Sequence, residues 1–392
     1  MNNIRLTNNP EHVEGRVNGT VIVLKTCFLK NRRKPLFHIR TLKYHMQSST
    51  ANKITLAMIV VLGIAIIVPW LLNRTAPTEN TLVLYCSHDS VFADSIIRQF
   101  EAKSGITVQV RYDEETNKSL GLTNLLITER AQPRCDVFWN NQTLGTIRLK
   151  EAGLLAAVDP ALFARIPKQF KDTENQWAGF AARLRVYIVN TDRMVATQQA
   201  IDDALRSPSL SNSAIAAPLF GTTLSHYAVL CDRMGLDGLK AWHGSLHDRG
   251  IREVRGNGAV KDLVAAGACD FGFTDTDDAF AAIDAGRPVT MLPVRLDTGK
   301  TICLPNSVAM IRNCPHPDAA AKFMEYLLSE EVELALANSG SRQIPLGPVD
   351  SAQLSSEVLE LTKWAADGVA LDGAVKHQAE VLKWLTAEYT GQ

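Results

Sequence analysis

The chain has 392 residues, of which 46% are hydrophobic and 7% aromatic, and its 41 basic and 41 acidic residues balance. That length suffices for two domains of ordinary size, each with its own core. Ten Lys or Arg residues but only Glu11 and Glu14 fall within residues 1–53, so the remainder is mildly acidic. A basic tail before an acidic body argues against nucleic acid as the partner of the body.

An apolar segment follows the basic tail. Residues 54–72, ITLAMIVVLGIAIIVPWLL, carry no charge and are long enough to span a bilayer. Basic residues precede the segment, which predicts a cytoplasmic tail at residues 1–53 and an exported body. We expect a retained single-pass anchor in the inner membrane, because the run is long and lacks a clear A-x-A cleavage site. The alternative is a cleaved signal region that starts at Met46, since residues 1–45 show no fold-like periodicity.

Strands and helices then alternate along the chain. Residues 81–88, 106–112 and 135–139 have the patterns of buried or alternating strands. Helical periodicity follows each of them, at 90–105, about 118–130 and about 142–152. This order predicts a parallel sheet with helices on both faces.

The second half repeats that plan. An apolar-rich strand at 177–191 is expected to cross between two lobes, and residues 300–312 to return to the first lobe. Residues 213–235 and 251–286 supply further strand–turn–helix units, and the C-terminus is helical. We therefore predict an α/β protein with one lobe at 81–182 plus about 300–392 and a second at 183–299. Ligands of open α/β sheets bind beyond the carboxyl ends of the strands.

Two turns in the second lobe have the form of anion sites. Gly221 leaves a strand, and Thr222 and Thr223 open the next helix. Asn257 lies between two glycines before another helix. Free backbone N–H groups at helix N-termini bind anions. The alternative for both turns is ordinary helix capping.

Charged residues follow or lie within the predicted strands. Arg183 and Arg185 are two residues apart on one strand and so face the same side. Burying two guanidinium groups requires a carboxylate or phosphate partner, which can be a ligand or another part of the protein. Asp275 and Asp277 are expected to face the cleft, and Asp278 to favour the dipole of the following helix. The spacing excludes an EF-hand loop.

Catalytic motifs are absent from the sequence. It contains no G-x-S-x-G, P-loop or H-E-x-x-H pattern, so we expect a protein that is not an enzyme. The six cysteines after residue 80 have no spacing typical of a disulfide framework or zinc site, so buried free thiols or a single incidental disulfide are expected.

Across about residues 81–350 the chain resembles the periplasmic ferric-ion-binding proteins of ABC importers, within the extracellular solute-binding superfamily. The stretches that carry the resemblance, in order, are LVLYCSHD with FADSIIRQFEAKSGITVQV, LLITERAQPRCDVFWNNQT, LKEAGLLAAVDP, WAGFAARLRVYIVNTD, GFTDTDDAFAAIDAGRPV and PHPDAAAKFMEYLLSEEVELALA. The resemblance implies a two-lobe clamshell with crossing strands, expected to be a monomer, which docks to a membrane permease with its ATPase.

The resemblance also implies Fe³⁺ held together with a bound anion. His88 lies near the first-strand histidine of the family, offset by one residue, and Asn141 stands where many members have Glu. The tyrosine pair of the family falls on Thr276 and Asp277. The positions that correspond to the anion site are Gly221, Thr222, Thr223, Asn257 and Thr274, and Arg183 and Arg185 lie on the strand that carries basic residues in the family.

Loss of both tyrosines removes the phenolate ligands that ferric iron prefers. His88, Asn141, Asp275 and Asp277 could still provide hard ligands for ferric, calcium or magnesium ions. Alternatively, the cleft binds a small anionic organic or phosphonate-like solute directly. A ligand sensor without a transport partner is the other alternative.

Overall fold

The computed structural model describes three short strands within residues 4–25, residues 80–113 and residues 120–390. The chain divides into two compact units, Met1–Arg74 and Thr75–Gln392. The transmembrane segment predicted at 54–72 lies outside the described residues. Among the helices that are described, none combines the length and the apolarity needed to cross a membrane.

The N-terminal unit contains a three-stranded antiparallel sheet. Its strands are β1 (Ile4–Leu6), β2 (His12–Val17) and β3 (Thr20–Lys25). The expectation that residues 1–45 carry no fold-like pattern is therefore wrong for this stretch. The overlooked signal is the Asn18–Gly19 pair between β2 and β3, because Asn-Gly is typical of two-residue hairpins.

The second unit contains one sheet of nine strands. They are β4 (Thr81–Cys86), β5 (Thr107–Tyr112), β6 (Val137–Asn140), β7 (Ala178–Asn190), β8 (Ser213–Ala216), β9 (Arg252–Val254), β10 (Phe271–Asp275), β11 (Val289–Pro293) and β12 (Cys303–Met310). The strand order is β5-β4-β6-β12-β7-β10-β8-β9, and β11 also pairs with β7. The sequence patterns predicted all of these strands except β11.

Helices occupy most of the intervening chain. They are α1 (Ser90–Ser104), α2 (Leu120–Thr128), α3 (Leu144–Glu151), α4 (Gln198–Arg206), α5 (Gly221–Asp248), α6 (Asn257–Ala265), α7 (Thr276–Asp284), α8 (Pro317–Leu327), α9 (Glu330–Ala337), α10 (Ser356–Ala366) and α11 (Asp372–Thr390). Helix α5 is interrupted at Gly235, whose φ of 73° is in the region that glycine adopts most readily. Pro317 begins α8, where proline is favoured because the N–H that it lacks would have no partner in the first turn.

The sheet is mixed, and the parallel arrangement predicted from the first three strand–helix units is confirmed for β4, β5 and β6. Strands β4, β5 and β6 are parallel to one another, as are β8, β9 and β10. Strand β12 runs antiparallel to β6 and β7, and β7 runs antiparallel to β10 and β11. Apolar periodicity specifies which face of a strand is buried but not the strand's direction, so the sequence pattern could not distinguish the two cases.

Strand β7 joins the two sets of parallel strands. All 13 of its residues are buried. Its first half pairs with β12 as far as Leu184, and residues from Arg185 onward pair with β10. Arg183 and Arg185 therefore lie where the strand passes from one set to the other. Apolar side chains pack on both sides of this strand, in separate buried clusters.

The cysteines of the described residues are free thiols, as predicted. Cys86, Cys135, Cys231, Cys269 and Cys303 are buried and Cys314 is half-buried. Burial raises the pKa of the Cys303 thiol to about 12, which keeps it protonated.

A buried carboxylate ties the C-terminal half to β7. The Glu333 side chain, on α9, is fully buried and accepts hydrogen bonds from the backbone N–H groups of Ala181, Leu346 and Gly347. Arg165 Nη1 lies 2.6 Å from Glu333 Oε2 and supplies the balancing charge. A buried carboxylate is stable when it accepts several hydrogen bonds and pairs with a cation. Buried N–H groups and a buried cation that lose this acceptor lower the stability of the fold.

Glu333→Gln is expected to lower the free energy of unfolding by about 2–4 kcal/mol, because the amide cannot accept from all of these donors or balance Arg165. Urea unfolding of the full chain measures the change. Glu331→Gln is the matched control, since Glu331 forms an exposed pair with Lys103 and should cost no more than about 1 kcal/mol. Equal losses in the two variants would contradict this role for Glu333.

Candidate functional site

Three helices begin at one edge of the sheet. Strands β8, β9 and β10 are parallel, and α5, α6 and α7 follow them directly or after a short turn. The helices begin at Gly221, Asn257 and Thr276. Because parallel strands end at the same edge, the three helix N-termini converge and present positive partial charge there.

A cleft of about 580 Å³ lies at this edge. Of the predicted site residues, those that line it are Asn141, Arg183, Gly221, Thr222, Thr223, Asn257, Asp275 and Asp277. Asp89, Arg255, Gly256, Gly258 and Asp278 also line it. The cleft therefore brings residues after β6 together with β7 and the three helix N-termini.

Asp275 is the centre of a buried polar network. Its Oδ1 lies 2.7 Å from Arg185 Nη1, and its Oδ2 accepts hydrogen bonds from the Thr222 hydroxyl and the Asn257 amide. Arg185 also donates to Asn257 Oδ1 at 3.1 Å, which in turn accepts from the Thr223 hydroxyl. Arg185 and Asp275 are 0% and 3% exposed. Side chains predicted to bind an external anion thus already hold an internal carboxylate.

Arg183 pairs with the second acidic residue. Its Nη1 lies 3.1 Å from Asp277 Oδ2, and its Nη2 lies 3.4 Å from His88 Nδ1. The carboxylate partners that two buried arginines require are therefore Asp275 and Asp277, one for each arginine. Arg183 also lines the cleft, whereas Arg185 lies behind it.

His88 and Thr274 are buried beside the site and do not line the cleft. The His88 ring stacks on Trp139 with centroids 5.3 Å apart, and its Nε2 lies 3.2 Å from Gln343 Nε2. Thr274 Oγ1 lies 3.1 Å from Asp278 Oδ2. Asp89, three residues beyond the end of β4, is the residue of this segment that reaches the cleft.

The acidic residues lie close enough to share a ligand. Carboxylate oxygens of Asp275, Asp277 and Asp278 lie within 4.8 Å of one another. Burial, Asp277 and Asp275 raise the pKa of Asp278 to about 8, although the Thr274 hydroxyl and Lys261 act to lower it. Burial also raises the pKa of Asp277, and the charge of Arg183 opposes that rise. A cation or a proton at this cluster would relieve the repulsion between the carboxylates.

Several buried polar atoms at the site have no hydrogen-bond partner within the described part of the chain. They are Arg183 Nε, Arg185 Nε, Arg185 Nη2 and Asn141 Oδ1. Nearly all buried polar atoms of proteins are hydrogen-bonded, so the two that belong to cleft-lining residues, Arg183 Nε and Asn141 Oδ1, are suited to a polar ligand.

Three charged residues of the cleft wall were not among the predicted site residues: Arg255, Asp89 and Asp278. Arg255 follows β9 immediately before α6, and it is exposed and forms no ion pair with any described residue. Each of the three lies directly after a strand or at the start of a helix, and that position is the sequence signal that could have identified it as a cleft residue. Arg255 offers a positive charge to the cleft that no described carboxylate neutralises.

Asp275→Asn is expected to lower the free energy of unfolding by about 3–5 kcal/mol, because it leaves the buried charge of Arg185 without a partner. Urea unfolding of the full chain tests this expectation. The control is Asp284→Asn, which removes a surface partner of Arg342 and should cost less than about 1 kcal/mol. An Asp275 variant as stable as the control would show that Arg185 does not depend on this carboxylate.

The contribution of Asp278 to the free energy of unfolding is expected to fall as the pH rises from about 4 to about 8, whereas burial lowers the pKa values of His226 and His243 and gives them the opposite contribution below about pH 6.5. Over that range an unfolded aspartate is ionised while Asp278, with its pKa raised to about 8, stays protonated in the folded chain. Asp278→Asn should remove about 1–3 kcal/mol of the difference in unfolding free energy between pH 5 and pH 9, since the partly open cleft screens the charge. Asp284→Asn should keep the whole difference, and an unchanged pH profile in Asp278→Asn would contradict the assignment.

Comparisons with known proteins identify the family and the fold of this chain. A model of the family described as bacterial extracellular solute-binding protein matches residues 95–370. The Fe(3+)-binding periplasmic protein of Serratia marcescens is 22% identical over 314 residues, which cover 74% of this chain and 91% of that protein.

Solved structures of similar fold are also found. Iron-bound HitA from Pseudomonas aeruginosa gives a TM-score of 0.67 at 20% identity, over 78% of this chain and 99% of that one. The periplasmic binding protein AfuA from Actinobacillus pleuropneumoniae, with exogenous fructose-6-phosphate bound, gives 0.65 at 20% identity, over 78% and 98%. The fold of the body is thus the two-lobe α/β fold of periplasmic binding proteins. Since the family model covers most of its length, this chain belongs to the bacterial extracellular solute-binding protein family.

Proposed function

We propose that this chain is the solute-binding component of an ABC importer, in which it delivers its ligand to a membrane permease driven by an ATPase. Membership of the solute-binding family supports this role. The body is exported to the periplasm as a monomer and stays tethered by a single transmembrane segment at residues 54–72. The charge-free sequence of that segment and the basic residues before it support the tether.

The first lobe comprises residues 81–182 with about 300–350, and the second comprises residues 183–299 with helices α10 and α11, whose buried side chains pack against α5 and the second-lobe strands. Strand β7 supports this boundary, because its pairing changes from β12 to β10 between Leu184 and Arg185. The cleft residues come from both lobes: Asp89 and Asn141 from the first, and the three helix N-termini from the second. Closure of the lobes would bring the two sets onto one ligand.

The cargo is ferric iron held together with an anion. The observation that carries this proposal is that three carboxylates within 4.8 Å of one another share a cleft with three helix N-termini. Asp277 and Asp278 supply hard oxygen ligands for the metal, with Asn141 facing them from the other lobe. The anion lies against the backbone N–H groups at Gly221, Thr222, Thr223 and Asn257, with Arg255 beside it. The Serratia relative is named as an Fe(3+)-binding protein.

The anion carries more of the coordination here than in a site built from tyrosines. No tyrosine lines the cleft among the described residues, so the protein offers carboxylates and amides but no phenolate. An iron-chelating carboxylate, such as citrate, would supply the remaining oxygen ligands and also neutralise the helix N-termini. Binding of iron should therefore depend on the anion.

An anionic organic solute bound without metal is the second candidate. It is favoured by the pairing of Asp275 with Arg185 and of Asp277 with Arg183, because carboxylates so paired are less available to a cation. Arg255 and the helix N-termini then remain for a phosphate or carboxylate group. The Actinobacillus structure contains a sugar phosphate in a protein of the same fold.

Calorimetry of the full chain distinguishes the two candidates at pH 7.5. The first predicts binding of ferric citrate that is at least about tenfold tighter than binding of citrate alone, since the metal adds ligand bonds. Asp277→Asn should weaken the ferric complex without weakening the binding of citrate alone, because the substitution also leaves the charge of Arg183 free to attract the anion, and Asp284→Asn should alter neither. Absence of heat with ferric citrate would overturn the iron proposal, and binding of fructose-6-phosphate without metal would support the second candidate.

A further inference from the structure

A second cluster of metal-ligating side chains lies outside the cleft, between α5 and α11. Cys231 Sγ, an imidazole nitrogen of His377 and a carboxylate oxygen of Glu380 lie within 4.8 Å of one another. Cys231 and His377 come from the two different helices, and α11 packs along α5. A thiol, an imidazole and a carboxylate that converge from separate helices form a ligand set typical of zinc and related ions.

The distances suit a tetrahedral ion after a small contraction. Bond lengths of zinc to sulfur, nitrogen and oxygen place neighbouring ligand atoms about 3.3–3.7 Å apart. His377 Nδ1 is already 3.7 Å from Glu380 Oε2. His377 and Glu380 are separated by three residues on one helix and so lie on the same face.

Asp232 is placed to orient the imidazole. Its Oδ1 lies 3.8 Å from His377 Nε2, so the two ring nitrogens each face a carboxylate. A metal-bound histidine usually donates its other N–H to a carboxylate, which fixes the ring orientation. Asp232 is held close to the first turn of α11, since a Cβ atom on Gly373 would lie 2.3 Å from its Oδ1.

The cluster is accessible from one side. The Cys231 side chain is buried, whereas the His377 and Glu380 side chains are 34% and 56% exposed. An ion can therefore approach from solvent, meet the imidazole and carboxylate first, and reach the thiolate beneath. The fourth position is left for water.

We propose that Cys231, His377 and Glu380 bind a divalent transition-metal ion of the zinc class, with Asp232 orienting His377. On binding, the Cys231 thiol loses its proton to solvent and a metal–sulfur bond forms. The ion cross-links α11 to α5. Since Cys231 lies ten residues after Gly221, about 15 Å along the helix, the cross-link stabilises the helix whose first turn forms part of the cleft. This proposal does not depend on the identity of the cargo.

Cobalt titration of the full chain tests the site, because a cobalt–thiolate bond gives a charge-transfer absorption in the near ultraviolet. We expect that band in the native chain, together with a rise in the thermal midpoint when Zn²⁺ is added. Cys231→Ser should abolish the band. His377→Gln and Glu380→Gln, at more exposed positions, should each weaken Co²⁺ binding more than about tenfold.

His247→Gln is the matched control, since His247 is similarly exposed on α5 and faces Glu253 outside the cluster. It should keep the band and the cobalt affinity. The proposal would be overturned by absence of the band at saturating Co²⁺, by its survival in Cys231→Ser, or by unchanged affinity in both α11 variants. Calorimetry with ferric citrate should give the same result in the native chain and the α11 variants, which separates this site from the cleft.

Discussion

The ion pair between Arg185 and Asp275 is the interaction on which the binding site depends. Neither side chain is appreciably exposed, so each charge would be costly without the other. Asp275 ends β10, and it also binds Thr222 of α5 and Asn257 of α6. One carboxylate therefore fixes the positions of three helix N-termini relative to β7. Without it, their dipoles and the guanidinium group would repel one another at the same edge of the sheet.

This internal pairing sets the charge that a ligand meets. Arg185 is neutralised by Asp275 and Arg183 by Asp277, while the pKa of Asp278 is raised to about 8 by burial and its acidic neighbours. The exposed Arg255 and the helix N-termini remain as the positive features of the cleft. Such a surface favours an anion, and a metal that arrives with the anion can take the place of the proton on Asp278. In the proposed function, the cleft therefore suits a complex of a metal cation with an anion.

Apart from helix α4 and strand β11, the sequence predicted the helices and strands of the body, because their apolar periodicities are clear. It also predicted that Arg183 and Arg185 share a face and need carboxylate or phosphate partners. It could not identify those partners, since Arg185 and Asp275 are 90 residues apart and only the antiparallel pairing of β7 with β10 makes them neighbours. It placed His88 at the cleft, where the structure instead has Asp89. Which of two adjacent residues turns inward depends on where β4 ends, and periodicity locates an end only within a residue or two.

Anomalous diffraction at the iron edge, from crystals of the full chain grown with ferric citrate, tests the central claim most directly. The account predicts an iron peak bonded to carboxylate oxygens of Asp277 and Asp278, with citrate against the N-termini of α5 and α6 and the Arg185–Asp275 pair intact. Citrate or another anion in the cleft without an iron peak, or iron bound elsewhere in the chain, would contradict it.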